Sequence, residues 1–158
     1  MTSASIQEIK KELRTLDTDA LQELCLRLAK YKKENKELLN YLLFEAHNEQ
    51  AYIENVKDDI AELFKNVPSG NAYFIKKSLR KILRLANRQI KYSGSKQTEI
   101  EIRIFFCSKM KEARIPRTTN TVLSNLYMQQ LKKIKGAFAK LPEDIQADYN
   151  RELKNILS

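Results

Sequence analysis

Residues 71–96 read NAYFIKKSLRKILRLANRQIKYSGSK, a stretch that divides into an apolar side and a basic side. It carries eight basic residues and no acidic one. Wound as a helix at about 100° per residue, its aliphatic side chains fall on one side: Ile75, Leu79, Ile82, Leu83, Ala86 and Ile90. The opposite side carries a row of cations, here called the basic ridge: Lys77, Arg80, Lys81, Arg84, Arg88 and Lys91. The pattern predicts a helix whose apolar side packs on the rest of the chain and whose basic ridge is a binding surface.

The composition of the whole chain also predicts an all-α fold. The 158 residues include three glycines and three prolines, and a fold rich in β-strands needs many more turn residues. Helical periodicity with short polar breaks predicts about eight helices in four consecutive helical hairpins. Two architectures fit this pattern. One is an α-α stack of the HEAT type, because helix pairs recur about every 50 residues, and the other is an irregular helical bundle.

Proline and glycine mark the main breaks along the chain. The strongest is VPSGN at residues 67–71, and a second lies at residues 92–95, where Gly94 can adopt the left-handed conformation that ends a helix. We expect a single domain over residues 1–158, with sub-units at 1–67 and 71–158 joined by the loop at 68–70. Residues 98–106 alternate polar and apolar residues as a strand does. Because the sequence offers no second strand to pair with them, we expect a helix there.

Two segments near the start of the chain are predicted to be buried. Residues 37–46, ELLNYLLFEA, are apolar on nearly every side, so we expect them to form the hydrophobic centre. The first helix is expected to turn Ile6, Ile9 and Leu13 inward. Cys25 and Cys107 lie in apolar helical patterns and are predicted to be buried free thiols.

The positive charge of the chain is concentrated in its middle third. Residues 71–117 hold 13 Lys and Arg against 3 Asp and Glu, whereas the remaining residues hold 16 against 17. A local basic surface of this kind indicates an anionic partner. Two cysteines do not suggest a secreted disulfide framework, and no apolar run approaches the roughly 20 residues of a membrane span. The first residues lack the layout of a signal peptide, so we expect a cytoplasmic protein.

Three segments carry a resemblance to known proteins: KELLNYLLFEA at 36–46, RKILRLANRQIKYSGSK at 80–96 and TEIEIRIFFC at 98–107. Together they resemble a family of small all-helical bacterial proteins to which no activity is assigned. That resemblance covers most of the chain and implies no site residues. A basic stack of the HEAT type is also similar to the helical-repeat glycosylases that repair alkylated DNA, which grip DNA with a positive concave face. Those enzymes use tryptophan at the lesion and this chain has none, so no catalytic residue carries over.

Residues that commonly carry catalysis or bind metals are sparse. His47 is the single histidine, and the two cysteines lie too far apart in sequence for zinc-ligand spacing. Four carboxylates recur at the spacing of one exposed helix face, here called the acidic face: Glu54, Asp58, Asp59 and Glu62. We therefore predict no catalytic residue, no metal site and no cofactor.

Three functions follow from this pattern. The first is a non-enzymatic module that binds a polyanion, above all the backbone of DNA or RNA, through the basic ridge and Lys96. No aromatic residue lies between the ridge cations, so we expect phosphate contacts without base stacking. The second is a helical-repeat adaptor or scaffold that binds an acidic protein, and the third is an enzyme that processes nucleic acid. If the acidic face neutralised the ridge, the ridge would be an ordinary solvated surface.

Overall fold

The computed structural model describes residues 2–117 and 119–158, and its regular structure there is entirely helical. Eight α-helices and one π-helical turn follow each other along the chain: α1 Ile6–Arg14, α2 Thr18–Tyr31, α3 Lys33–Asn40, the π-helical turn Tyr41–Glu45, α4 Glu49–Phe64, α5 Ala72–Ser93, α6 Lys96–Glu112, α7 Thr121–Phe138 and α8 Glu143–Leu157. The predicted all-α fold is confirmed. Residues 98–106 lie within α6, so the expectation of a helix there is also confirmed.

The chain divides into two compact units, a first that ends at Phe44 and a second that spans Glu45–Ser158. The loop at residues 68–70, which we expected to join two sub-units, lies inside the second unit. The expectation that the whole chain folds as one domain stays a prediction.

Short polar side chains begin the helices where the sequence places them. Asn48 accepts a hydrogen bond from the backbone N–H of Ala51, and Asn71 does the same for Tyr73, which satisfies free donors at the starts of α4 and α5. Gly94 ends α5 in the left-handed conformation, with φ at 70°. The breaks at residues 67–71 and 92–95 were predicted correctly because they depend on local chemistry of the chain.

The core of the second unit is built around α6, which packs against α4, α5, α7 and α8. Because neighbours surround it, α6 buries residues on nearly every side, and Ile100, Ile102, Phe106 and Met110 are fully buried. Phe106 also meets Phe64 of α4, with ring centroids 5.5 Å apart. Burial of each such side chain contributes about 1.5–3 kcal/mol.

The alternating pattern of α6 is explained by the partners of its polar residues. Glu101 accepts a hydrogen bond from the Tyr149 hydroxyl at 2.7 Å and pairs with Lys57 at 3.4 Å. The buried Arg103 forms an ion pair with Glu99 at 2.9 Å. A helix surrounded by other helices can place polar residues inward only where each one finds a partner.

The prediction that residues 37–46 form the hydrophobic centre is wrong. Within this segment only Tyr41 is buried, and Leu42, Leu43 and Phe44 are each more than half exposed. An apolar helix is buried only if other elements cover it, and the sequence pattern does not show which elements do so. The covering elements in this chain surround α6 instead.

The inward face expected for the first helix is likewise wrong. Within the first unit α2 and α3 pack against each other, yet none of residues 2–40 is buried. Ile6, Ile9 and Leu13 are exposed. Cys25 is an exposed thiol, whereas Cys107 is buried as predicted.

Candidate functional site

The basic ridge lies on α5, whose apolar side anchors it in the second unit. Leu79, Ile82 and Ala86 on that side are at most 1% exposed, and Leu83 is half-buried. The 22 residues of α5 make a helix about 33 Å long. The amphipathic pattern of α5 therefore leaves one long side of the helix exposed.

All six cations of the basic ridge are exposed: Lys77, Arg80, Lys81, Arg84, Arg88 and Lys91. Among residues 2–117 and 119–158, no carboxylate lies within ion-pair distance of any of them. Lys96, the seventh predicted site residue, is different. It begins α6 and pairs with Glu99 at 3.5 Å.

The acidic face does not neutralise the ridge through ion pairs. Its residues are exposed on α4, as the sequence predicts. Glu54 pairs with Lys57 at 3.4 Å and Glu62 pairs with Lys65 at 2.7 Å. Both carboxylates therefore pair with a lysine three residues further along the chain and not with the ridge. The hydrogen bond to Glu62 also raises the pKa of Lys65.

A second helix free of carboxylates lies beside α5. Helix α7 packs against α5, and the run of residues 113–142 holds six Lys and Arg without one Asp or Glu. Lys132 and Lys133 of α7 are exposed. The positive surface of the second unit therefore extends from α5 onto α7.

An open groove of about 420 Å³ lies between α5 and α7. Cations, amides and three apolar side chains line it: Lys76, Arg80, Leu83 and Asn87 from α5, and Val122, Asn125, Leu126, Gln129, Gln130 and Lys133 from α7. No carboxylate is among these lining residues. Of the predicted site residues, Arg80 alone belongs both to the basic ridge and to this groove.

Arg103 of α6 connects the two walls of the groove from within the core. Its Nη1 donates to Asn87 Oδ1 and to Gln130 Oε1, both at 2.9 Å. Its Nε donates to Glu99 at 3.0 Å. Arg103 is 5% exposed and Gln130 is 2% exposed, so both side chains are largely buried, whereas Asn87 is half-buried.

Two exposed aromatic residues lie at the N-terminal end of the basic ridge. Tyr73 and Phe74 are 65% and 53% exposed, and their rings meet edge to face with centroids 5.3 Å apart. Phe74 precedes Lys77 by three residues and Lys81 by seven, so it continues the line of the ridge.

Sequence reasoning missed the α7 cations, the groove and the aromatic pair. The carboxylate-free run at residues 113–142 could have indicated the first of these. The groove itself had no local pattern, because Asn87, Arg103 and Gln130 lie on three different helices. Only the packing of α5, α6 and α7 brings them together.

The single histidine and the two cysteines occupy different environments. His47 is exposed. Burial raises the pKa of Cys107 to about 12, which keeps this thiol protonated and unreactive. Across residues 2–117 and 119–158, no three His, Cys, Asp or Glu side chains cluster closely enough to hold a metal ion.

Comparisons with known proteins provide no family for the chain. No family model, no curated protein and no solved structure matches it. Of the helices described, none combines the length and the apolar character needed to cross a membrane.

Proposed function

We propose that the protein binds the phosphate backbone of nucleic acid through the basic ridge of α5. The observation that carries the proposal is the row of six exposed cations that no described carboxylate neutralises. Like charges at i,i+3 and i,i+4 destabilise a helix by a few tenths of a kcal/mol per pair. An anionic ligand would remove that repulsion on binding.

The length of the ridge suits a nucleic-acid backbone. Lys77 and Lys91 are separated by 14 residues, or about 21 Å along the helix axis. Duplex DNA carries one phosphate charge about every 1.7 Å of its axis, so several phosphates lie within reach of this row. A single small anion would engage only part of it.

The Tyr73–Phe74 pair favours nucleic acid over an acidic protein as the ligand. An exposed aromatic ring next to a row of cations can stack on an unpaired base, which stabilises binding by about 1–3 kcal/mol. Phosphate contact without base stacking along the basic ridge stays a prediction, and this pair adds an exposed aromatic surface at one end of the ridge.

The test is a reversal of charge in the middle of the ridge. We expect Arg80→Glu/Arg84→Glu/Arg88→Glu to lower affinity for a short DNA duplex and for a single strand at least about 100-fold, because three phosphate contacts become repulsive. Fluorescence anisotropy at about 50 mM salt measures it, and log Kd against log salt in the native chain should have a slope of magnitude near 5 for five to six contacts. Circular dichroism checks that the helices remain.

A matched control separates the ridge from net charge. The variant Lys10→Glu/Arg151→Glu/Lys154→Glu makes the same change of six charges at exposed positions in α1 and α8. It should retain most of the binding. The proposal is wrong if the native chain fails to bind either nucleic acid at this salt concentration, or if both variants lose affinity equally.

A further inference from the structure

We propose that the groove between α5 and α7 is a built binding site for one phosphoryl group. The proposal deepens the function above and rests on it for the nucleic-acid source of that group. It begins from Asn87 and Gln130, two amides that line the groove on opposite walls.

Arg103 determines which end of each amide faces the groove. A guanidinium only donates hydrogen bonds, so the atoms it contacts, Asn87 Oδ1 and Gln130 Oε1, must be the amide oxygens. The NH₂ group of each amide therefore points away from Arg103. Because Glu99 holds the other side of the guanidinium at 2.9 Å, Arg103 is fixed in this position.

The NH₂ groups of both amides have no acceptor among residues 2–117 and 119–158. Gln130 is 2% exposed, and no buried side-chain nitrogen of the described chain lacks a partner, so its free donor must reach the solvent of the groove. A buried amide that uses its oxygen internally and leaves its donor at a cavity wall is suited to an acceptor-only ligand.

The cations of the groove favour a ligand with a negative charge. Lys76, Arg80 and Lys133 line the same cavity, and none of its lining residues is a carboxylate. A phosphoryl group has several oxygens that accept hydrogen bonds and carries a negative charge. Two oriented N–H donors between three cations match it, whereas a neutral or cationic ligand would leave the donors or the charges unmatched.

The experiment exchanges these donors for acceptors of the same shape. Asn87→Asp/Gln130→Glu keeps an oxygen for Arg103, so the fold should survive, and it replaces both groove donors with carboxylate oxygens. We expect affinity for inorganic pyrophosphate, measured by calorimetry, to fall at least about tenfold. In the native protein, pyrophosphate should shift the side-chain NH₂ resonances of Asn87 and Gln130 in ¹⁵N NMR spectra.

Two further variants keep the result interpretable. Asn150→Asp/Gln7→Glu adds the same two charges at exposed positions and should bind pyrophosphate normally. Lys133→Gln removes a groove cation at an exposed position and should weaken binding even if the double groove variant unfolds. The site is refuted if the two NH₂ resonances do not move with pyrophosphate, or if the folded groove variants bind as the native protein does.

A parallel titration with single-stranded DNA distinguishes this inference from the proposed function. If DNA binding depends on Arg84 and Arg88 but neither DNA nor pyrophosphate shifts the NH₂ resonances of the groove amides, the proposed function is supported and the groove site is refuted. If pyrophosphate shifts the NH₂ resonances of the groove amides but the protein does not bind DNA, the phosphoryl group in the groove belongs to a small molecule. The proposed function then fails alone.

A separate observation leads us to infer that the first unit pairs with the first unit of a second copy of this chain. None of residues 2–40 is buried, although α1, α2 and α3 are amphipathic helices. Large apolar side chains remain exposed over the whole unit: Ile6, Ile9, Leu13, Leu16, Leu24, Leu26, Leu28, Leu38, Leu42, Leu43 and Phe44. Monomeric proteins rarely expose apolar patches beyond about 300–600 Å².

The size and charge of this surface suit self-association. A specific interface uses about 20–30 residues on each side, which the first unit can supply. Residues 2–23 hold five carboxylates against three cations, and residues 24–44 hold five cations against two carboxylates. The two segments carry net charges of opposite sign, so a two-fold axis that sets each segment against the other segment of the second copy makes the surface self-complementary in charge.

Mass measurement tests the pairing. The native chain at micromolar concentration should have twice its 18.5 kDa mass by light scattering. Leu28→Asp and Leu43→Asp, at positions 61% and 62% exposed, should each shift the protein to a monomer with unchanged helicity. Leu157→Asp on α8, where the native leucine is 53% exposed, is the control and should stay dimeric. A native monomer, or a dimer indifferent to both first-unit variants, would overturn the inference.

Discussion

Arg103 illustrates at the level of single residues how a buried charge is accommodated. Its three nitrogens meet Glu99, Asn87 and Gln130, so the cost of removing a guanidinium from water is offset by an ion pair and by amide acceptors. The same contacts turn the amide donors toward the α5–α7 groove. One residue thus contributes both to the core and to the candidate phosphoryl site.

Gly136 provides a residue-level prediction about stability. It lies inside α7, and a methyl group placed on it would meet nothing within 4 Å, so close packing does not explain the glycine. We expect Gly136→Ala to raise the free energy of unfolding by about 1 kcal/mol, because alanine loses less backbone entropy in a helix. Urea denaturation measures the change.

Gly94 is the matched control for this prediction. It also has open space around it, but its φ of 70° is a conformation that alanine avoids. Gly94→Ala should therefore lower the free energy of unfolding by about 1–2 kcal/mol. Equal effects of the two substitutions would show that backbone conformation is not the cause.

At the level of elements, α5 and α6 show two kinds of helix. In α5 one side is buried and the other is exposed, so its periodicity predicts both its structure and its orientation. In α6 neighbours cover most sides, and Glu99, Glu101 and Arg103 are accommodated there because each has a hydrogen-bond or ion-pair partner. The periodicity of the sequence therefore does not show that α6 is central. The partners of Glu99 and Glu101 are visible only in the packed structure.

At the level of the whole molecule, buried ionisable groups should control stability at high pH. Burial raises the pKa of Cys107 to about 12 from an ordinary value of 9.0, and it also raises the pKa of Tyr127 and of Tyr149 from 10.0. Above pH 9 the unfolded thiol ionises while the folded thiol stays protonated. The native state then binds more protons than the unfolded state, so the free energy of unfolding falls as pH rises.

We predict that this fall begins near pH 9, with a slope approaching about 1.4 kcal/mol per pH unit for the thiol. The tyrosines steepen it above about pH 10. Urea denaturation at several pH values measures the slope. Cys107→Ala should be less stable at neutral pH but should lose the slope between pH 9 and 10. A variant with the native slope would show that other groups cause the loss.

The helical class, the main breaks and the two sides of α5 could be predicted from the sequence alone, because each depends on residues within a few turns of one another. Asn48 and Asn71 begin helices through their side-chain oxygens, and Gly94 ends one through its left-handed backbone. Three features are visible only in the folded chain: α6 is the centre of the second unit, the apolar side chains of the first unit remain exposed, and the basic ridge borders an amide-lined groove. Burial depends on which helices cover which sides. The groove depends on Asn87, Arg103 and Gln130, residues on three helices that meet only when the chain is packed.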